Sequence, residues 1–299
     1  MTKIERVAIA GASGALGSNV LKALVGAGFQ VTVLTRSKKP GMYDSTIRVA
    51  EVDYASLESL TAALKGVDAV VSTVTSTAIE SQTILIDAAV AAGVKRFIPS
   101  EFGSVTTNFK LEGLPLFSSI FKVRKYLQEK AAASGLTWTI LACGIFLDYA
   151  LNTPILLDFV NHKATLLDGG DNRISATSLP KVGVAICAIL KNFDATNDKV
   201  MRVSETILTQ NQWLGFTQEL NPDIKWELSN ARTSVLLEES LKQIEAGEFT
   251  ESVILKLVTG TSLAGNTYGS AYDVTDNELL GIKELTSDEV KKLIAEKLK

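Results

Sequence analysis

The sequence predicts an α/β protein: a doubly wound parallel sheet with a smaller C-terminal α/β lobe. Three observations predict it. Short Val-, Ile- and Ala-rich runs alternate with helical stretches through the first half of the chain, a spaced glycine triplet closes the first of those runs, and the alternation loosens beyond Gly144.

The first run, 7–10, is apolar and ends at Gly11, which opens Gly11-Ala-Ser13-Gly14-Ala15-Leu16-Gly17. A helix over 18–26 follows, stopped by Gly26-Ala27-Gly28, and a Val-rich strand over 31–36 completes a unit of the length that βαβ requires. Glycines at a strand-to-helix turn let bare backbone N–H groups approach a pyrophosphate at the helix N-terminus, which makes the sheet Rossmann-like and the turn a dinucleotide site. The spacing is G-x-x-G-x-x-G, not the commoner G-x-G-x-x-G, so the strand and helix around it carry the assignment. Gly11, Ser13, Gly14, Ala15, Leu16 and Gly17 are the expected cofactor-binding residues of this turn, with Gly17 letting the helix lie close on the sheet.

The end of the second strand selects the nucleotide. An acidic residue there suits a ribose 2′-hydroxyl, but this chain has Arg36, with Lys38 and Lys39 behind it and no carboxylate before Asp44. A guanidinium fork suits a 2′-phosphate, and one charge-assisted pair of about 1.5–3 kcal/mol favours NADP(H) over NAD(H) by roughly one to two orders of magnitude. The alternative is a solvated basic loop.

The alternation then predicts a strand over 47–52, a helix over 56–64, a strand over 69–74, a helix over 80–92 and a strand over 96–99. A helix over 117–133 and a strand over 138–141 follow. Ligands gather at the carboxyl ends of such strands, so Asp53 is expected beside the adenine and Ser72 and Thr73 beside the nicotinamide ribose. Ser100 and Glu101 end the fifth strand at the same cleft. Past Gly144 the sequence predicts a helix over 154–161, a hairpin over 164–174 around Gly169-Gly170, a helix over 180–190 and a helical acidic tail from Arg232. The expected organisation is 1–150 for nucleotide and 151–299 for substrate, interleaved as one unit.

Composition agrees with an enzyme having a large core: 299 residues, 46% hydrophobic, 21% charged and a net charge of −3. No basic stripe points to nucleic acid, no apolar run reaches the length of a membrane span, and the start of the chain leads straight into a strand. The two cysteines, Cys143 and Cys187, form no metal or disulfide pattern, so a cytoplasmic location is expected. Buried thiols of this kind usually act as small hydrophobes.

The glycine triplet, Arg36, Val52-Asp53-Tyr54, the segment Gly93-Val-Lys-Arg-Phe-Ile-Pro99-Ser100-Glu101-Phe102-Gly103, the turn Gly144-Ile-Phe146-Leu-Asp148-Tyr149 and Asp276-Asn-Glu-Leu-Leu-Gly281 together resemble the NmrA-like / isoflavone reductase-like family of atypical short-chain dehydrogenases. The resemblance spans nearly the whole chain, and Pro-Ser-Glu-Phe-Gly is its most specific string. It implies an NADPH-dependent reductase of a hydrophobic or aromatic carbonyl or enone in secondary metabolism. Other members sense the nucleotide and regulate a partner. It further implies an acid/base lysine within Phe-x-x-Lys-x-Lys-Val-Arg.

This chain has Phe117-Ser-Ser-Ile120-Phe-Lys122-Val-Arg124 there, with Ile120 at the lysine position. Either Lys122 takes over, although two residues along a helix turn a side chain by about 200°, or other groups serve. A third reading is that the chemistry is not redox, as in an isomerase, a lyase or a nucleotide sensor. Tyr126 and Lys130 match the Tyr-x-x-x-Lys spacing of ordinary short-chain dehydrogenases, against the alternative of a surface pair. His162, the only histidine, reads as a loop residue. Phe102, Ile120, Phe146 and Tyr149 are the expected pocket wall, with Asp148 beside them, for a hydrophobic small molecule. Oligomeric state stays open between monomer and dimer.

Overall fold

The computed structural model describes residues 2–39 and 41–298. Its centre is a seven-stranded, wholly parallel sheet. Strands β1 (Arg6–Ala10), β2 (Gln30–Thr35), β3 (Arg48–Glu51), β4 (Ala69–Ser72), β5 (Arg96–Ile98) and β6 (Thr137–Ala142) alternate with helices α1 (Ala15–Gly26), α2 (Leu57–Leu64), α3 (Gln82–Ala91) and α4 (Phe117–Ala132). The chain continues through β7 (Ile145–Phe146), α5 (Leu147–Asn152), β8 (Lys163–Leu167), β9 (Ile174–Thr177), α6 (Leu179–Lys191) and β10 (Lys199–Arg202). Then come β11 (Thr206–Leu208), α7 (Gln210–Leu220), β12 (Glu227–Ala231), α8 (Thr233–Glu245), α9 (Glu251–Ser262), α10 (Asn277–Leu280) and α11 (Ser287–Ala295).

The sheet order is β10-β6-β5-β4-β1-β2-β3, so the direction of winding reverses between β1 and β4. Successive residues of a strand face opposite sides, and β1 is apolar on both. Val7 and Ile9 join Val20, Leu24, Val182 and Ile186 under α1 and α6. Ala8 and Ala10 join Leu60, Leu85, Val123 and Leu127 under α2, α3 and α4. The α1–α6 contact is close enough that a Cβ on Gly183 would stand 2.8 Å from Cβ of Ala23.

Two small sheets complete the structure. β9 pairs in parallel with β7 and antiparallel with β11, while β8 pairs in parallel with β12. The hairpin expected over 164–174 is therefore corrected. The turn is real, with Asp168, Gly169 and Gly170 all at positive φ, but its arms β8 and β9 enter different sheets. The helix expected over 154–161 is also corrected: α5 lies earlier, and Asp158 accepts from the backbone N–H groups of Val160 and Asn161. That local bonding competes with helix propagation. Strands β10, β11 and β12 carry no alternation strong enough to foresee. Among the described residues no helix is long and apolar enough to cross a membrane.

Candidate active site

The glycine turn sits at the carboxyl end of β1, beside the reversal point. Gly11 has φ +83°, and a Cβ there would stand 2.5 Å from the Thr73 carbonyl oxygen. On Gly17 a Cβ would stand 2.1 Å from the Gly11 carbonyl oxygen. Both glycines are thus required by the chain's own backbone. Gly14 differs: it is exposed, its N–H donates to Gly11 O at 3.1 Å, and a Cβ would meet only ordinary contact at 3.5 Å.

Helix α1 starts at Gly14 with no side-chain cap and no acidic residue in its first turn. Its leading N–H groups and the positive end of its dipole are therefore available to an anion. Ser13, Gly14 and Ala15 are exposed and Leu16 half-buried around this opening. These features fit a dinucleotide pyrophosphate.

Arg36 is exposed just past β2, and among the described residues neither it nor Lys38 has a carboxylate partner in an ion pair. Glu51 is turned onto the loop's backbone, accepting from the Lys38 N–H at 3.0 Å. Tyr54 lies close to Arg36; burial pushes its phenol up to about 12, and the guanidinium's charge pulls the other way. Asp53 is exposed at the rim, one oxygen accepting from the Ala55 N–H.

Two expected cofactor contacts turn inward, and their side-chain roles are corrected. The Ser72 side chain is fully buried, with a hydroxyl that lacks a hydrogen-bond partner. The Glu101 carboxylate is buried, and both its oxygens accept from Arg124, whose Nη2 also donates to Thr106 O at 2.6 Å. Burial pushes the Glu101 carboxyl upward, opposed by the Arg124 charge and its hydrogen bonds. Thr73 pins the turn, its hydroxyl and its N–H both donating to Ala10 O at 2.8 Å. Ser100 pins β5 to β4, donating to Val74 O at 2.7 Å while its N–H donates to Gln82 Oε1.

Helix α4 settles the direction of its side chains. Ile120 and Arg124 are one turn apart, hence on one face, and Ile120 packs against the core beneath α2, α3 and α4. Lys122 is corrected as the acid/base candidate: its side chain is 73% exposed and stands 3.9 Å from Glu80 on the outer surface. Tyr126 and Lys130 both engage Asp87 of α3, the phenol at 2.7 Å and the ammonium at 2.6 Å. The Tyr-x-x-x-Lys spacing is a tie between helices. His162 packs edge-on to Trp226 at 5.7 Å, remote in role from the cleft.

Around the expected pocket, Phe102 is buried, Ile120 and Phe146 half-buried and Tyr149 exposed. Asp148 accepts from the Leu179 N–H at 2.7 Å and so caps α6 instead of facing the cleft. The sequence reading did not single out Tyr272. Its buried hydroxyl donates to Ser104 O at 2.6 Å and accepts from the Gly144 N–H at 3.2 Å, joining the loop after β5 to the turn after β6. Burial raises that phenol, and also the Cys143 thiol, which donates to Phe102 O.

The model of the NmrA-like family matches residues 3–220. The chain belongs to the NmrA-like family. Curated relatives of this family member include oxidoreductase poxI of Penicillium oxalicum, 30% identical over 290 residues, spanning 93% of this chain and 90% of that protein. Oxidoreductase aprR of Aspergillus flavus is 31% identical over 291 residues, spanning 95% and 97%. Among solved structures, an isoflavone reductase superposes with TM-score 0.77 at 22% identity, covering 97% of this chain and 99% of that one. The binary complex of leucoanthocyanidin reductase with NADPH from Vitis vinifera gives 0.77 at 20% identity, covering 98% and 100%. Both share the fold of this NmrA-like chain.

Proposed function

We propose that this NmrA-like protein is an NADPH-dependent reductase of a hydrophobic, aromatic small-molecule carbonyl or enone, acting in secondary metabolism. The observation that carries the reading is the Gly11–Gly14–Gly17 turn opening an uncapped α1, with Arg36 exposed past β2. The fungal relatives named oxidoreductases, matched over nearly their full length, support it.

The α1 N–H groups would hold the pyrophosphate, and Arg36 with Lys38 the 2′-phosphate. When bound, NADPH supplies the hydride. Phe102, Ile120, Phe146 and Tyr149 would supply the apolar wall that orients an aromatic substrate and keeps water from it. The two cysteines are unpaired and buried, which goes with a cytoplasmic location.

Titrating NADPH, NADP+, NADH and NAD+ by calorimetry against wild type and Arg36→Ala tests the reading. NADPH is expected to bind at least about tenfold more tightly than NADH, with the preference lost in the variant. Failure of NADPH to bind at millimolar concentration overturns it.

Ile120, where the family pattern has lysine, favours a second reading, a non-redox isomerase or cyclase on the same scaffold. Stoichiometric oxidation of NADPH with formation of a reduced product would exclude that.

A further inference from the structure

A cavity of about 560 Å³ opens between the loop after β5, the end of β10 and the segment 268–274, at the carboxyl ends of the parallel strands. Tyr272 forms one wall. Since its hydroxyl bonds Ser104 O and the Gly144 N–H, the cavity abuts the turn that carries Phe146 and Tyr149.

Its polar lining is unspent. Among the described residues the Arg202 guanidinium and the Lys110 ammonium have no carboxylate within ion-pair distance, whereas the one acid in the lining, Asp273, is paired with Arg173 at 2.8 Å. The Arg202 N–H binds Asp276 Oδ2, so that acid is held at the backbone. Asn108 uses its side-chain oxygen to cap the Lys110 N–H, leaving its amide N–H groups as donors. Two apolar side chains in the lining are exposed, Phe109 at 74% and Val274 at 81%.

Two cations and an exposed aromatic ring in one lining match a molecule with the complementary arrangement, a ring bearing an anionic end. We infer that this cavity is a subsite for the carboxylate of an aromatic acid, with Arg202 and Lys110 as its anchoring cations. Its meaning as a substrate subsite rests on the reductase reading; binding of the acid does not.

Calorimetry with 4-coumarate and with its methyl ester, on the protein both without and with saturating NADPH, tests the inference. The acid is expected to bind about tenfold to a hundredfold more tightly than the ester, and Arg202→Met to abolish that preference. Lys110→Met, at an exposed position, is expected to reduce it severalfold and decides the matter if Arg202→Met does not fold. Equal binding of acid and ester, no binding of either, or a preference unchanged in both variants overturns the subsite. The NADPH titration on the same samples reports separately on the cofactor reading.

Discussion

Arg124 grips both carboxylate oxygens of Glu101, and through that pair α4 is fastened to the Pro-Ser-Glu-Phe-Gly segment at the mouth of the cleft. The side chains are only 8% and 2% exposed. A buried pair of this kind stabilises little relative to apolar isosteres, but removing one partner strands the other charge. Glu101→Gln is therefore expected to cost about 3–5 kcal/mol, and the double variant Glu101→Leu/Arg124→Met clearly less than the sum of its singles. Urea denaturation of the four proteins of that cycle measures the coupling, and additive losses would contradict it.

Ile120→Lys restores the residue that the family pattern has one turn before Arg124. Because Ile120 is only half-buried, a lysine stem can lie along Val123 while its ammonium reaches solvent or substrate. The expected outcome is a folded variant whose NADPH-dependent reduction of an aromatic enone rises by about two orders of magnitude, the scale of general acid–base assistance. An unchanged rate in a folded variant that binds NADPH would mean that another group already fills the role.

Gly14 and Gly17 are expected to separate by substitution. Gly17→Ala drives a Cβ into Gly11 O and should lower stability by about 1–3 kcal/mol together with NADPH affinity. Gly14→Ala meets no such clash, so its melting temperature should stay near wild type while NADPH binding weakens through the methyl at the pyrophosphate. Parallel loss of stability and affinity in both variants would count against Gly14 as a ligand contact.

Asp68 gives the fold an acid-sensitive point. Burial alone would raise its carboxyl, but Arg6, Lys95 and the N–H groups of Glu5 and Arg6 outweigh that and hold it well below 3.8. A depressed carboxyl stabilises the folded state above the unfolded value, and that contribution is lost as pH falls through the folded one. Since Arg6 and Lys95 are about half exposed, the contribution at pH 7 is about 2 kcal/mol. Asp68→Asn should lose it at pH 7 and show a shallower fall in stability below pH 4; an unchanged acid limb in urea titrations would refute the assignment.

The parts of this fold written locally are the parts legible in the sequence. Strand 7–10, the glycine turn and Arg36 fall within one contiguous unit, where hydrophobic period and glycine placement speak directly. The resemblance sets Ile120 where the family pattern has lysine, and helical geometry shows Lys122 pointing outward. Long-range contacts leave no such trace. Asp148 caps an α6 amide 31 residues away, and Tyr272 reaches Gly144 and Ser104 across 128 and 168 residues. Glu101 reads as a cleft residue because it follows a strand end, and its inward turn depends on an arginine 23 residues later. The region 154–174 is misread because Asp158 and the positive-φ run at 168–170 set local turns whose arms are claimed by distant strands.

The seventh strand has a consequence for how the chain is made. β6 is complete at Ala142, but its outer neighbour β10 begins only at Lys199. At ribosomal speeds of 5–20 residues per second, the intervening stretch of roughly 60 residues leaves a sticky edge waiting about 3–12 s for its partner. Asp276, which bonds the Arg202 N–H, is synthesised later still. The nascent protein should therefore be most vulnerable to chaperone capture and aggregation in that window, and a stop codon placed near residue 150 should yield an insoluble fragment in place of a free-standing nucleotide-binding half.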